Sequence, residues 1–261
     1  RSIVHIHLDY SEHDLRWPLK DPPVTLIGCA DFVLRNAVRV LGPEADKTIL
    51  RTVLNAIDVD RFKPATQYTE HDHSNGEPII ITMLANIAPH KGQHTAISSV
   101  KLIHEKGIPI ELWLAGEERG SSAHTLYLKQ QAAKLGIEQQ VKFLGFRSDI
   151  VELLETTHYL ELPSTSEGLP LSLLEAHAAG VITLASPTAG VPELITDNEN
   201  GFLIEAEDYQ GYADRITNLI QSAALRSEIR VKAWPRLRAK HSYMHYFKQI
   251  AEIYSEMLSD E

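Results

Sequence analysis

From Ile79 onward, short runs of apolar, β-branched residues alternate with stretches whose apolar positions recur at helical spacing. That alternation is the pattern of βαβ units and a parallel sheet. "IIITMLA" predicts a first strand, and after "PHKGQ" the spacing predicts a helix over 95–105. The strand "IELWLAG", a helix over 124–135 and the strand "VKFLG" continue the series. A helix over 149–155 then leads to the strand "HYLELP", to a loop and helix within "PSTSEGLPLSLLEAHAAG", to the strand "VITLAS", to a short helix over 191–195 and to the strand "GFLI". The fold class is therefore α/β, a doubly wound parallel six-stranded sheet. Helices over 208–222 and 226–240 follow, and "HSYMHYFKQIAEIYSEML" closes the chain with Tyr246, Ile250, Ile253 and Met257 at helical spacing.

Upstream, "PVTLIG", a helix over 31–41 and "TILRTVL" predict a further strand, helix and strand. The polar stretch "KPATQYTEHDHSNGEP", with Pro64 and Pro78 near its ends, reads as a linker. The chain opens at Arg1, and the part before the linker, about 60 residues, is short for a complete α/β domain, which predicts the tail of a larger one.

Charge and composition narrow the function. With 25 Lys+Arg against 35 Asp+Glu the formal charge is -10, which disfavours nucleic acid or an anionic membrane surface as the main partner. A single cysteine, Cys29, excludes an internal disulfide and predicts a buried structural thiol in a reducing, cytoplasmic setting. No apolar run approaches the roughly 18 residues of a membrane span.

The candidate chemistry lies in "PSTSEGLPLSLLEAHAAG", residues 163–180, where Glu167 and Glu175 interrupt an otherwise apolar stretch. In open α/β sheets ligands gather beyond the carboxyl ends of strands, which places Glu167 in such a crevice. A helix starting near Gly168 to Leu171 turns its unpaired amides and positive dipole end toward the same crevice, and Pro170 suits a first turn. If helical rise holds throughout, Glu175 lies about 12 Å further on, and the two carboxylates can accept hydroxyl hydrogen bonds at both ends of a nucleotide sugar. A solvated turn residue at Glu167 and a snorkelling helix glutamate at Glu175 satisfy the same spacing.

The run "VKFLGFRSDIVELLETTHYLELPSTSEGLPLSLLEAHAAGVITLASPTAGVPELITDNENGFLI" resembles the donor-binding domain of retaining glycosyltransferases of the GT-B architecture, family four (glycosyl transferases group 1). The resemblance rests on Glu167 and Glu175 with seven residues between them, on "AGVPEL" downstream, on "TVLNAIDVDRFKP" as the interdomain segment and on "IAEIYSEML" as the returning helix, and it covers residues 29–258. It implies a Rossmann-like donor domain at 79–240, a remnant of the N-terminal acceptor-side domain at 1–64, a linker at 65–78 and a C-terminal helix at 241–261 that crosses back.

It further implies that Glu167 contacts the transferred sugar and Glu175 the ribose, and that Gly168, Leu169, Leu171 and Ser172 help to hold sugar or phosphate. The family's phosphate clamp pairs an arginine with a lysine; here "ANIAPHKG" supplies Lys91 and has Asn86 in the arginine's place. Lys91, beside Gly92 at a helix start, is apt for a pyrophosphate. Arg147 in "GFRSD" either replaces the absent charge, faces the base, or is a solvated residue ending its strand. The implied partners are a nucleotide diphosphate sugar and an acceptor sugar, lipid or other hydroxyl compound, with no cofactor and no metal. The implied function is retaining sugar transfer, by a chain that holds mostly the donor half; the alternative is a non-catalytic nucleotide-sugar binding module. A nucleotide-sugar epimerase fits the glutamate pair and "AGVPEL" less well.

Histidines offer weaker constellations. "HIHLD" puts His5, His7 and Asp9 on one strand face, a layout for a metal in an amidohydrolase barrel, yet no second ligand set stands at later strand ends. His5 or His7 approximates the family's acceptor-side histidine without matching its spacing. "HDHS" at 71–74 reads as solvated linker, His241 and His245 read as sharing a helix face, and His177 reads as a packed histidine.

Overall fold

The computed structural model describes residues 2–7, 12–16, 19, 21, 25–62, 76–118, 120 and 122–259. Asp9, the "HDHS" tetrapeptide and most of the expected linker lie outside them. The chain first lays down β1 (Ile3–Ile6), α1 (Glu12–Arg16), β2 (Thr25–Gly28), α2 (Asp31–Leu41) and β3 (Ile49–Thr52). These strands pair in parallel in the order β1-β2-β3.

The second unit runs through β4 (Ile79–Leu84), α3 (Gln93–Glu105), β5 (Ile110–Ala115), α4 (Ala123–Lys134), β6 (Val141–Gly145) and α5 (Ile150–Thr156). It continues with β7 (Tyr159–Leu162), α6 (Leu171–Ala178), β8 (Ile182–Ala185), α7 (Val191–Leu194) and β9 (Phe202–Leu203). All ladders are parallel and the order is β6-β5-β4-β7-β8-β9. The open sheet matches the six strands expected and excludes the closed barrel of an amidohydrolase. The chain winds outward from β4 to β6, then returns beside β4 and winds the other way, so the carboxyl ends of β4 and β7 flank the switch point where such sheets bind ligands.

Every residue of β7 and β8 is buried, as in a parallel sheet covered on both faces. On one face Ile81, Met83, Leu112 and Leu114 pack beneath Ile97, Val100 and Ile103 of α3 and beneath Tyr212 and Ile216 of α8 (Tyr209–Gln221). On the other, Leu160 and Leu162 meet Leu173 and Leu174 of α6 and Leu237 of α9 (Ala223–Lys240). The same cluster runs on into Leu26, Ala30, Val33 and Ala37, so the two sheets share one core. Cys29 is buried in it, and burial pushes its thiol up to about 11.

Several contacts fasten the units. Ala30 offers α2 no side-chain cap; instead the carboxylate of Glu193, on α7, accepts from the amides of Asp31 and Phe32 at 2.9 Å each. The last helix, α10 (Tyr243–Ser259), lies on the other face of the first sheet, where Tyr246, Ile250 and Ile253 pack with Ile3, Ile27 and Val53. Thr25 Oγ1 reaches Met257 Sδ at 3.4 Å, and Arg51 pairs with Glu256 at 3.0 Å.

Two details differ from expectation. Pro170 is the N-cap of α6, with an extended ψ of 125°, and the first helical residue is Leu171. Residues 167–170 are thus loop, and the 12 Å helical spacing between the glutamates does not apply. His241 ends α9 and precedes α10, so it shares no helix face with His245; it is buried, and its Nδ1 lies 2.8 Å from the carbonyl oxygen of Asn55. His177 is packed as expected, its Nε2 2.8 Å from Thr183 Oγ1. Among the described residues no helix is long and apolar enough to cross a membrane.

Candidate functional site

A cleft of about 1020 Å³ opens at the switch point, and all nine residues singled out in the sequence line it. Asn86 and Lys91 follow β4, Arg147 follows β6, Glu167, Gly168 and Leu169 form the β7–α6 loop, and Leu171, Ser172 and Glu175 belong to α6.

Gly92 is what brings the first group to the third. It precedes α3 in the left-handed region, at φ 74°, and a Cβ there would lie 2.0 Å from the carbonyl oxygen of Pro163. Only glycine allows that approach of the α3 start to the end of β7. The amide of Thr165 donates to the carbonyl of His90 at 2.8 Å and ties the two loops again. Lys91 Nζ consequently lies 2.8 Å from Glu167 Oε1, with the two side chains 18% and 5% exposed. Beside this pair, burial and the neighbouring Lys91 hold the His90 imidazole below its usual range, against an opposing pull from Glu167.

The β7–α6 loop is gripped from both sides. The carbonyl of Gly168 accepts from the amide of Gly190 at 2.9 Å, and that of Leu169 accepts from Asn55 Nδ2 at 2.8 Å. No side chain caps α6, which leaves its first-turn amides for a ligand in the cleft. Further along α6, burial holds the Glu175 carboxyl above the ordinary carboxylate range, with Arg61 opposing the shift.

Positive charge in the cleft is largely spoken for. Lys91 is paired with Glu167, and the Arg147 guanidinium is engaged by both oxygens of Asp149, its Nε donating to Oδ1 at 2.7 Å. Asn86 brings no charge, and its backbone carbonyl accepts from Gln93 Nε2 at 2.8 Å. An anion here would be held by Lys91 and by backbone amides, with Glu167 sharing the ammonium.

Of the further lining residues, His7 was weighed in the sequence only as a metal ligand or an approximate acceptor-side histidine, and Asn55 and the aromatic residues were given no role at the site. His7 forms part of the wall and its Nδ1 lies 3.3 Å from Asn55 Oδ1, while the His5 ring stacks at 6.1 Å. The signal for Asn55 was the segment "TVLNAIDVDRFKP" itself. Phe146, 71% exposed, and Tyr243, Tyr246 and Phe247 add aromatic surface; the three on α10 come from the far end of the chain, and only the fold could bring them here. Glu161, on β7 just before the stretch 163–180, points away. It is fully buried, its oxygens 3.0 and 3.2 Å from Ser99 Oγ, and burial pushes it up to about 8. Among the described residues, which do not include Asp9, no group of three metal-ligating side chains is assembled.

Comparisons with known proteins point one way. The family model described as glycosyl transferases group 1 matches residues 66–234. A D-inositol 3-phosphate glycosyltransferase of Corynebacterium urealyticum is 25% identical over 226 residues, 83% of this chain and 53% of that protein. An N-acetyl-alpha-D-glucosaminyl L-malate synthase of Bacillus anthracis is 28% identical over 215 residues, 81% of this chain and 55% of that protein. The chain spans about half the length of these curated relatives. Among solved structures, HepE of Anabaena in complex with UDP and glucose superposes with a TM-score of 0.85 at 22% identity, covering 97% of this chain and 71% of that one.

Proposed function

We propose, for a chain that belongs to the glycosyl transferases group 1 family, that the cleft binds a nucleotide diphosphate sugar and serves retaining transfer of the sugar to an acceptor hydroxyl. The observation that carries this reading is that Lys91, Glu167, Glu175 and the uncapped start of α6 line one cleft at the switch point. The UDP and glucose named for the HepE structure support the same ligand class. In this reading residues 79–240 are the donor domain, 1–64 belong to an acceptor-side domain, 65–78 link them, and 241–261 cross back. The single buried Cys29 supports a cytoplasmic setting.

Glu175 accepts hydrogen bonds from ribose hydroxyls and Glu167 from hydroxyls of the transferred sugar. As the bond from the anomeric carbon to the diphosphate breaks, negative charge grows on the departing phosphate. Lys91 and the first amides of α6 are held beforehand where they stabilise that charge, which is how a preorganised site lowers a barrier. The acceptor attacks from the leaving group's own face and its proton passes to a phosphate oxygen, so no protein nucleophile takes part. Glu167, bound to Lys91, orients the ammonium while it holds the sugar.

Calorimetric titration with UDP, GDP, ADP and their glucose or mannose conjugates tests the reading. Binding of one base series at micromolar to low-millimolar strength is expected; a folded chain that binds none of them overturns it.

A further inference from the structure

We propose that Asn55 is a positioning residue that fixes the tautomer of His7 and so places a hydrogen-bond acceptor for a substrate hydroxyl on the cleft wall. The proposal rests on the sugar-transfer reading above for its purpose, and on the hydrogen bonds of Asn55 for its geometry.

Asn55 lies just beyond β3 and is held at three points. Its Nδ2 stands 2.8 Å from the carbonyl oxygen of Leu169, its Oδ1 stands 3.3 Å from His7 Nδ1, and its own backbone carbonyl meets His241 Nδ1 at 2.8 Å. The amide of Ile57 donates to the carbonyl of His241 at 3.0 Å, which pins the same backbone a second time. Such anchoring leaves the side chain little freedom.

The orientation of the amide follows by elimination. A backbone carbonyl can only accept, so the group facing Leu169 is the NH₂ of Asn55. The oxygen then faces His7. An amide oxygen also only accepts, so the neutral His7 ring carries its proton on Nδ1 and keeps a lone pair on Nε2. A ring with that lone pair, in the wall of a cleft built for a sugar, accepts from a hydroxyl; the opposite tautomer offers a donor there.

One side chain thereby sets two relations. Leu169 stands two residues after Glu167, so the amide that fixes the His7 ring also fixes the loop that carries the glutamate and, through it, Lys91. No charge is needed for this: the three Asn55 bonds are formed by neutral groups of the chain itself.

The test is a long-range proton–nitrogen correlation spectrum of the full chain with labelled histidine at neutral pH, the His7 signals being assigned by their loss in His7→Ala. The wild type is expected to show the Nδ1–H form. In Asn55→Ala the ring loses its acceptor and the Nε2–H form gains population. Asn55→Asp keeps an acceptor for His7 while losing the donor to Leu169, so it retains Nδ1–H; this rescue distinguishes tautomer control from a general loss of structure. A wild-type His7 that is mainly Nε2–H, or a ratio unchanged in Asn55→Ala, overturns the proposal. Titration with UDP-glucose and GDP-mannose runs alongside, with about 3- to 10-fold weaker binding expected in Asn55→Ala. Should neither conjugate bind the wild type, the sugar-transfer reading fails while the tautomer result still decides the geometry.

Discussion

Lys91 and Glu167 form a largely buried ion pair, 2.8 Å apart, on the floor of the cleft at the switch point. The pair is both a structural contact and the proposed site, and substitution can separate the two roles. Lys91→Met strands a carboxylate that is 5% exposed and should cost about 1–3 kcal/mol of stability. Adding Glu167→Gln removes the stranded charge and should restore most of that loss. Nucleotide-sugar affinity should stay low in both variants. Thermal unfolding and calorimetry on the four forms check it; affinity recovering together with stability would make the pair purely structural.

Two buried groups, Glu161 and His177, should give the stability of the chain opposite dependences on pH. Glu161 is protonated in the native state up to about 8, whereas a free glutamate ionises near 4.5, so its contribution is complete below 4.5 and is lost as pH climbs toward 8. His177 works in the opposite direction. Burial brings its imidazole down to about 3 from 6.5, so its contribution is complete above 6.5 and is lost as pH falls toward 3. Melting temperature against pH should show Glu161→Gln flattening the alkaline limb and His177→Gln the acid limb. Unchanged slopes would contradict these assignments.

Glu193 replaces a cap that α2 lacks. Glu193→Ala leaves the amides of Asp31 and Phe32 without their carboxylate and should cost about 1–2 kcal/mol. Glu193→Gln, which keeps an acceptor but not the charge at a helix start, should lose about half as much. Hydrogen exchange of the Asp31 and Phe32 amides gives the local readout, and it should quicken in Glu193→Ala.

Gly92 positions Lys91 by backbone alone. Alanine there pays about 1–2 kcal/mol for the left-handed conformation, and its Cβ would overlap the Pro163 carbonyl at 2.0 Å. Gly92→Ala should therefore lower the melting temperature and weaken nucleotide binding together, although residue 92 touches no ligand in this account.

Much of this was legible in the chain, for definite reasons. The second sheet was readable because strands buried on both faces produce unbroken apolar runs such as "IIITML" and "VITLA", and helices such as 208–222 carry one buried stripe. The crevice residues were readable because they follow strand ends. Pairings were not. Nothing in the spacing said that Lys91 binds Glu167, 76 positions away, or that Glu193 caps α2, 162 positions away, since each depends on how two loops meet after folding. Glu161 escaped notice for a related reason: a glutamate inside a strand reads the same whether it points to a cleft or into the core. The start of α6 fell within the expected 168–171, but Pro170 was placed in the first turn rather than at the N-cap because proline suits both.

The measurement that bears most directly on the central claim is a calorimetric comparison of a nucleoside diphosphate with its sugar conjugate, in the wild type, Glu175→Ala and Glu167→Ala. If Glu175 holds the ribose and Glu167 the sugar, Glu175→Ala weakens both ligands by about 1.5–3 kcal/mol, the worth of a hydrogen bond to a charged group. Glu167→Ala should weaken the sugar conjugate alone by a similar amount. Equal losses for both ligands in both variants, or wild-type affinity throughout, would contradict the two-ended grip and with it the account of this cleft as a sugar-donor site.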